Sequence, residues 1–345
     1  MHEGGINERE RHDMLTRRKF TQIAAASVAA LGAFGIAGCS SSGEESPAQD
    51  GEAQTLSMKI GTLQTEDSLP FWIAEANGMY ADAGLDTVEI ITFQSAQELS
   101  TAFAAGEIDG AMTDAQVSAA LAASGTAVNL AWVTLGATPD QGRFGIMTSP
   151  ESGITSLSDL AGRGIGVGSN TVPEYVMDRL MEAAGVPDDQ IVGEEIKKLP
   201  VRYESMANNQ VAAAALPGSL LALGEASGMV LLADDTQGDN ISQSVFAVNQ
   251  SWIDGGGQAA LDAVRRAWDA AVEAVNADPE SFRALLVEKA SLPELVADTY
   301  PISTYPEAAL PTSEMVDPVL EWMKAKGYLT ADVSYDAMKG ALAAQ

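Results

Sequence analysis

From residue 57 onward, short apolar runs alternate with longer amphipathic stretches, and glycine punctuates the joins. Residues 57–62 read as a short strand ending in a Gly/Thr/Gln loop. Ser68 and Pro70 then open a helix over 71–76, where a capping hydroxyl and a first-turn proline are favoured. Residues 87–93 alternate as a half-buried strand, 96–105 form a helix ended by Gly106, and 109–113 form a short buried strand. A helix over 116–123 ends at Gly125, and 130–135 is strand again. This β-α-β-α-β order predicts an open, mostly parallel sheet covered by helices.

A second unit follows the same rhythm, with no repeat of sequence. Residues 144–148 are extended, and 156–160 form a short capped helix. Strands are expected at 164–168, 195–199, 211–216 and 229–232, with helices at 173–184, 202–208 and 220–225 between them. Residues 244–248 are extended again. The remainder reads as helix, at 257–276, 279–289, 314–326 and 335–344.

The first 56 residues follow a different pattern. Arg17-Arg18-Lys19-Phe20 resembles a twin-arginine export signal. An Ala/Gly-rich apolar run over 23–38 follows, shorter than the roughly 20 residues that a permanent bilayer span needs. It ends in Ile36-Ala37-Gly38-Cys39, which resembles the bacterial lipobox, so Cys39 is the expected lipidation site. Residues 1–38 then act as a lipoprotein signal peptide. Residues 39–56, rich in Ser, Gly, Glu and Pro, form a flexible linker holding the folded body beside the outer face of a membrane.

Composition narrows the chemistry. The chain has 345 residues, 46% of them hydrophobic and 19% charged, which excludes disorder along its whole length. Its formal charge of −29 disfavours nucleic acid as a partner. His2 and His12 are its only histidines and Cys39 its only cysteine. Beyond Cys39, that excludes Ser-His-Asp and Cys-His catalysis, His- or Cys-ligated metal and internal disulfides. An enzyme would have to use Asp, Glu, Lys, Tyr or Ser.

Two motifs carry little. Gly164-x-Gly166-x-Gly168 follows a strand pattern, but its third glycine is misplaced for a dinucleotide fingerprint. Asp188-Asp189 and Glu194-Glu195 lack calcium-loop spacing and read as a solvated face. No cofactor or metal is expected.

Ligands of open α/β sheets bind at strand carboxyl ends, and three loops lie there. Gln64 and Thr65 lead into the first helix, whose first turn carries Phe71 and Trp72; either ring can wall a pocket or pack in the core. Thr113 and Asp114 end the short buried strand, where Asp114 either caps the next helix or faces ligand. Ser169-Asn170-Thr171 joins a strand to the helix with Pro173 in its first turn, and its free N–H groups favour an anion or a carbonyl. No arginine occurs in these loops.

Several segments together resemble the solute-binding proteins of ABC importers, in the nitrate/sulfonate/taurine and thiamine-precursor group. They are Lys59-Ile60-Gly61, Leu69-Pro70-Phe71-Trp72-Ile73-Ala74, Gly78-Met79-Tyr80, Ala104-Ala105-Gly106-Glu107-Ile108-Asp109 and Leu157-Ser158-Asp159-Leu160-Ala161-Gly162. The resemblance covers about residues 57–235. It implies a two-lobed α/β fold of the type II periplasmic-binding-protein kind. Each lobe is then a mostly parallel sheet flanked by helices, and two crossover strands form the hinge. The lobes would comprise residues 57–140 with 241–345, and 141–240, with crossovers near 137–148 and 234–248. Gln64, Thr65, Trp72, Thr113, Asp114, Ser169, Asn170, Thr171 and Pro217 are the expected ligand set. Leu216-Pro217-Gly218 lacks the aromatic residues often found there in sulfonate-binding relatives. The implied function is capture of a small polar solute by a monomer that delivers it to permease subunits in the membrane. The alternatives are a lyase or dehydratase on the same fold and a sensory ligand-binding domain.

Overall fold

The computed structural model describes residues 55–238 and 241–345. The export-signal and lipid-anchor expectations, Cys39 included, lie outside the described residues.

Among the described residues, twelve strands build two sheets. They are β1 Ser57–Leu63, β2 Thr87–Phe93, β3 Gly110–Asp114, β4 Val128–Leu135, β5 Phe144–Thr148 and β6 Gly164–Val167. Then come β7 Val192–Glu195, β8 Ala213–Pro217, β9 Val230–Asp234, β10 Ser244–Asn249, β11 Val333–Asp336 and β12 Ala341–Ala344. The first sheet has the order β11-β12-β4-β10-β3-β1-β2, and the second β7-β6-β8-β5-β9. The first, second and third strands of each βα series lie side by side and run parallel, as helical crossovers require.

A central strand in each sheet runs against its neighbours, and in the first sheet the edge hairpin β11–β12 is antiparallel too. β10 is antiparallel to β3 and β4, and β5 is antiparallel to β8 and β9. Each is the strand that arrives from the other sheet, so the expected mostly parallel sheets are mixed at their centres. The chain crosses between β4 and β5 and again between β9 and β10. β3-β10-β4 and β8-β5-β9 therefore follow the same plan, although the two units share no repeat of sequence.

The apolar faces pack as the alternation implies. Phe71, Trp132, Phe246 and Trp268 form one aromatic cluster with ring centroids 4.5–6.3 Å apart. The helix Gln258–Ala277 lies on it through Ala260, Val264, Ala267, Trp268 and Ala271, positions that share one face at a period of about 3.6. Trp72, placed in the ligand set above, is 1% exposed and belongs to this core. It does not line the cleft, because the first turn of Leu69–Ala76 points inward beneath the sheet.

The C-terminus departs from expectation. Residues 335–344 were expected to be helical but form the hairpin β11–β12. Alanine favours helix only weakly against tertiary context, and here the free edge of β4 takes up the tail. Ala341 and Leu342 pair with Asn129 and Val128, and Leu130 N–H donates to Gly340 O at 2.6 Å. Gly340, at φ 70°, supplies the left-handed residue that the turn needs. Met338 N–H donates to Asp336 Oδ1 at 3.0 Å. Among the described residues no helix is long and apolar enough to cross a membrane.

Candidate functional site

A cleft of about 900 Å³ opens at the carboxyl ends of β1, β2, β3, β6, β7 and β8. Gln64, Thr65, Thr113, Asp114, Ser169, Asn170, Thr171 and Pro217 all line it, so every expected ligand residue except Trp72 is gathered there from both sheets. The placement follows from the open α/β plan, in which loops converge where parallel strands end.

The wall from the first sheet is acidic and buried. Asp67 and Asp114 both line the cleft, and both are buried. Asp67 accepts from Thr65 Oγ1 at 2.5 Å and from Ser244 Oγ at 2.6 Å. Burial pushes its carboxyl above the usual range against those bonds. Asp114 Oδ1 accepts from Val117 N–H at 2.7 Å, capping its own helix Ala115–Ala123. Its other oxygen accepts from Val172 N–H at 3.2 Å, and Val172 begins the helix Val172–Ala183 behind β6 of the second sheet. One carboxylate thus caps two helices, one from each sheet. Burial pushes Asp114 up to about 6 despite those two N–H groups.

The expected anion-binding loop is already supplied with carboxylates. Asn170, at φ 59°, turns its N–H onto Glu174 Oε2 at 2.6 Å. Ser169 N–H donates to Glu195 Oε2 at 2.9 Å, and its hydroxyl bonds the same oxygen. Thr171 occupies the cap position, but its hydroxyl donates to Gly168 O at 2.6 Å instead of accepting from the helix. Glu174, Glu195 and Asp114 therefore occupy the N–H groups at which the sequence predicts a ligand anion. Glu194-Glu195, read as a solvated face, contributes a residue to the cleft.

The basic wall lies elsewhere. Lys197, Lys198 and Arg202 follow β7 and line the cleft. The sequence predicts this strand over 195–199, which places both lysines inside it. The observed strand ends at Glu195, so they stand at a fourth carboxyl end. Lys198 Nζ lies 3.8 Å from Glu98 Oε1 and donates to Gln94 Oε1 at 3.3 Å, both across the cleft mouth. The loop after β2 was missed as well: Phe93, Gln94 and Ser95 line the cleft, with Ser95 capping the helix Ala96–Ala104 through Glu98 N–H.

A second set of contacts fastens the sheets together beside the cleft. Tyr328 OH donates to Glu174 Oε1 at 2.6 Å, Trp322 Nε1–H to Asp178 Oδ2 at 2.7 Å, and Lys326 Nζ lies 2.8 Å from that same oxygen. Trp322 and Lys326 belong to the helix Ser313–Lys326 and Tyr328 follows it directly. That helix covers the first sheet, whereas Glu174 and Asp178 lie on the helix of the second. Among the described residues no grouping of His, Cys, Asp and Glu is arranged to hold a metal ion.

Two mixed sheets joined by two crossings, with a cleft between their strand ends, define the periplasmic-binding-protein fold. The chain belongs to the NMT1/THI5 like family, whose model matches residues 65–281. Comparison with curated proteins gave no match. Among solved structures, the alkanesulfonate-binding protein SsuA from Xanthomonas axonopodis pv. citri bound to MOPS is similar at 16% identity and TM-score 0.67, over 80% of this chain and 95% of that one. The periplasmic aliphatic sulphonate binding protein SsuA from Escherichia coli is similar at 16% identity and TM-score 0.66, over 80% of this chain and 89% of its own. The periplasmic nitrate-binding protein NrtA from Synechocystis PCC 6803 is similar at 14% identity and TM-score 0.58, over 77% and 70%.

Proposed function

We propose that the chain is the extracytoplasmic, lipid-anchored solute-binding component of an ABC importer, which holds a small polar solute between two lobes and delivers it to a membrane permease. The observation that carries this reading is the cleft itself: about 900 Å³, set at strand carboxyl ends, with Asp67 and Asp114 on one wall and Lys197, Lys198 and Arg202 on the other. A solute with a donor or cationic end and an acceptor or anionic end suits such walls. The solute is of the sulfonate or taurine, nitrate or thiamine-pyrimidine type, and bare nitrate, without a donor end, fits least well. The names of the similar structures, sulfonate- and nitrate-binding, support the same class. The protein binds its solute and returns it unchanged; turnover of a bound acid would point to an enzyme instead. Native mass spectrometry of protein from its own host should find a copurified small molecule, and a bare chain under gentle desolvation would count against the reading.

The lobes are taken as residues 57–140 with 241–345, and 141–240, hinged at the two crossings. Solute bridging them should favour a compact state and raise the melting temperature. Small-angle scattering with and without the identified solute reads this, and an unchanged radius of gyration would contradict hinge closure. For the anchor, Cys39→Ser should move the protein from the detergent phase to the aqueous phase, since it removes the one thiol in the sequence. Unaltered partition of that variant would place the attachment elsewhere.

A further inference from the structure

Arg202 is 2% exposed, yet no carboxylate pairs with it among the described residues. Buried guanidinium groups without an ion pair are costly, so its surroundings need an account. Nε donates to Ile196 O at 2.9 Å and Nη1 to Ala215 O at 3.1 Å. These two carbonyls fix the plane of the group. Nη2 makes no hydrogen bond among the described residues, and the residue lines the cleft beside Gly168 and Ser169. Glu195 is near enough for its field to be felt, but that carboxylate is bonded to Ser169 and forms no ion pair with Arg202. Burial pushes the guanidinium down to about 10, so it remains charged at neutral pH.

The glycines that resembled a broken dinucleotide motif find their role here. A Cβ on Gly166 would lie 3.2 Å from Arg202 Cγ, and one on Gly168 would lie 2.6 Å from Nη2. The bare backbone at these positions makes room for the arginine stem and lets Nη2 lie against Gly168, a residue of the cleft lining. The helix end beside it cannot take a solute anion without displacing Asp114, Glu174 or Glu195.

We propose that Arg202 recognises an oxyanion, carboxylate or sulfonate, on the solute, with Gly166 and Gly168 serving to seat it. This rests on the solute-binding reading above and assigns the anionic end of the solute to a specific residue. Arg offers a fixed fork of donors that matches two oxygens of one group, which Lys197 and Lys198 do not.

The full chain in detergent is titrated by calorimetry with taurine, ethanesulfonate, β-alanine and propanoate, and with the neutral ethanesulfonamide and propanamide. At least one oxyanion should bind while its amide does not, and sulfonate against carboxylate identifies the group. Arg202→Gln should weaken that binding about 10- to 150-fold, the loss expected for one charged hydrogen-bond partner. Gly168→Ala, which leaves both carbonyl anchors in place, should weaken it in the same direction without lowering the melting temperature of the free protein. A purely structural arginine would do the reverse: it would lower stability in Arg202→Gln and leave affinity intact in Gly168→Ala. If Arg202→Gln does not fold, Gly166→Ala decides between the two, because its Cβ would lie 3.2 Å from the arginine stem and Gly166 does not line the cleft. Absence of oxyanion binding to the wild type, or equal binding of acids and amides, overturns the proposal. Binding of the neutral thiamine pyrimidine with no oxyanion binding would do so while leaving the solute-binding reading standing.

Discussion

At pH 8, Glu66→Gln should stabilise the folded protein by about 2 kcal/mol, and the gain should disappear on acidification. Glu66 is buried beside β1, in the turn Glu66–Ser68. Its Oε1 accepts from Tyr300 OH at 2.7 Å, whereas Oε2 is buried without a partner. The neighbouring groups are Asp67, Tyr300 and Tyr305, whose hydroxyl donates to Glu66 O at 2.8 Å. Across the interface stands Gly218, where a Cβ would lie 3.0 Å from Glu66 Oε1. None of these groups is a cation. Burial first, and then the charge of Asp67, push the Glu66 carboxyl from 4.5 up to about 7.

A raised carboxylate means that the folded state holds a proton that the unfolded chain has lost. Stability is therefore complete below the unfolded value near 4.5 and falls as pH rises through 7. A shift of this size is about 3 kcal/mol, and an unpaired amide in place of Oε2 returns about 1 of it. Asp67 and Asp114, also raised by burial, add to the same slope. Denaturant unfolding of wild type and Glu66→Gln between pH 5 and 8 reads the difference. A constant difference across that range would mean that Glu66 does not titrate there, and greater stability of the wild type at pH 8 would mean that a cation sits beside it.

The sequence made the architecture readable because the strands are short, apolar and bounded by glycine. The edge hairpin β11–β12 was the exception. Residues such as Ala341 and Ala343 carry helix propensity, and only the free edge of β4 makes them strand. The site was readable where a loop follows an obvious strand, as at Asp114 and Ser169. It was missed where a boundary slipped. Moving the end of β7 from residue 199 back to Glu195 turns Lys197 and Lys198 from strand residues into cleft residues. Arg202 was hidden differently: it was read as an ordinary helical position, and nothing in the local pattern says that a helix residue is buried without a carboxylate. Asp67 was masked by its neighbours, since a run of Thr, Glu, Asp and Ser before a helix reads as capping. The structure instead spends Ser68 on Leu63 O and Asp67 on Ser244, which lies on the far crossing.

The second large effect concerns Asp114, because its two oxygens hold two helices that belong to different sheets. Asp114→Ala should destabilise the protein by about 3 kcal/mol at neutral pH, since it removes two charge-assisted bonds and leaves Val117 and Val172 N–H to find other partners. Asp114→Asn separates the structural role from the ligand role. Its amide has one oxygen, so it keeps one cap and turns its NH₂ toward the other N–H. That loss of about 1–3 kcal/mol is largely offset at neutral pH because a buried charge is removed, and shows in full only on acidification. If the remaining lone pairs of Asp114 also face a donor or cationic end of the solute, Asp114→Asn should lose roughly 10- to 150-fold in affinity as well. The two losses have different signatures. The cap on Val117 N–H lies within one lobe and is shared between free and bound protein, so its loss lowers the melting temperature of both equally and leaves the increment from solute unchanged. The Val172 bond spans the lobes, and Val172→Pro, which removes that N–H alone, reads its share. A ligand contact exists only in the complex, so its removal shrinks that increment. Calorimetric titration and thermal melts of wild type and Asp114→Asn, with the copurified solute, measure both. Full affinity in Asp114→Asn would make Asp114 a brace between the sheets and nothing more, and the cationic end of the solute would then have to be held by Asp67.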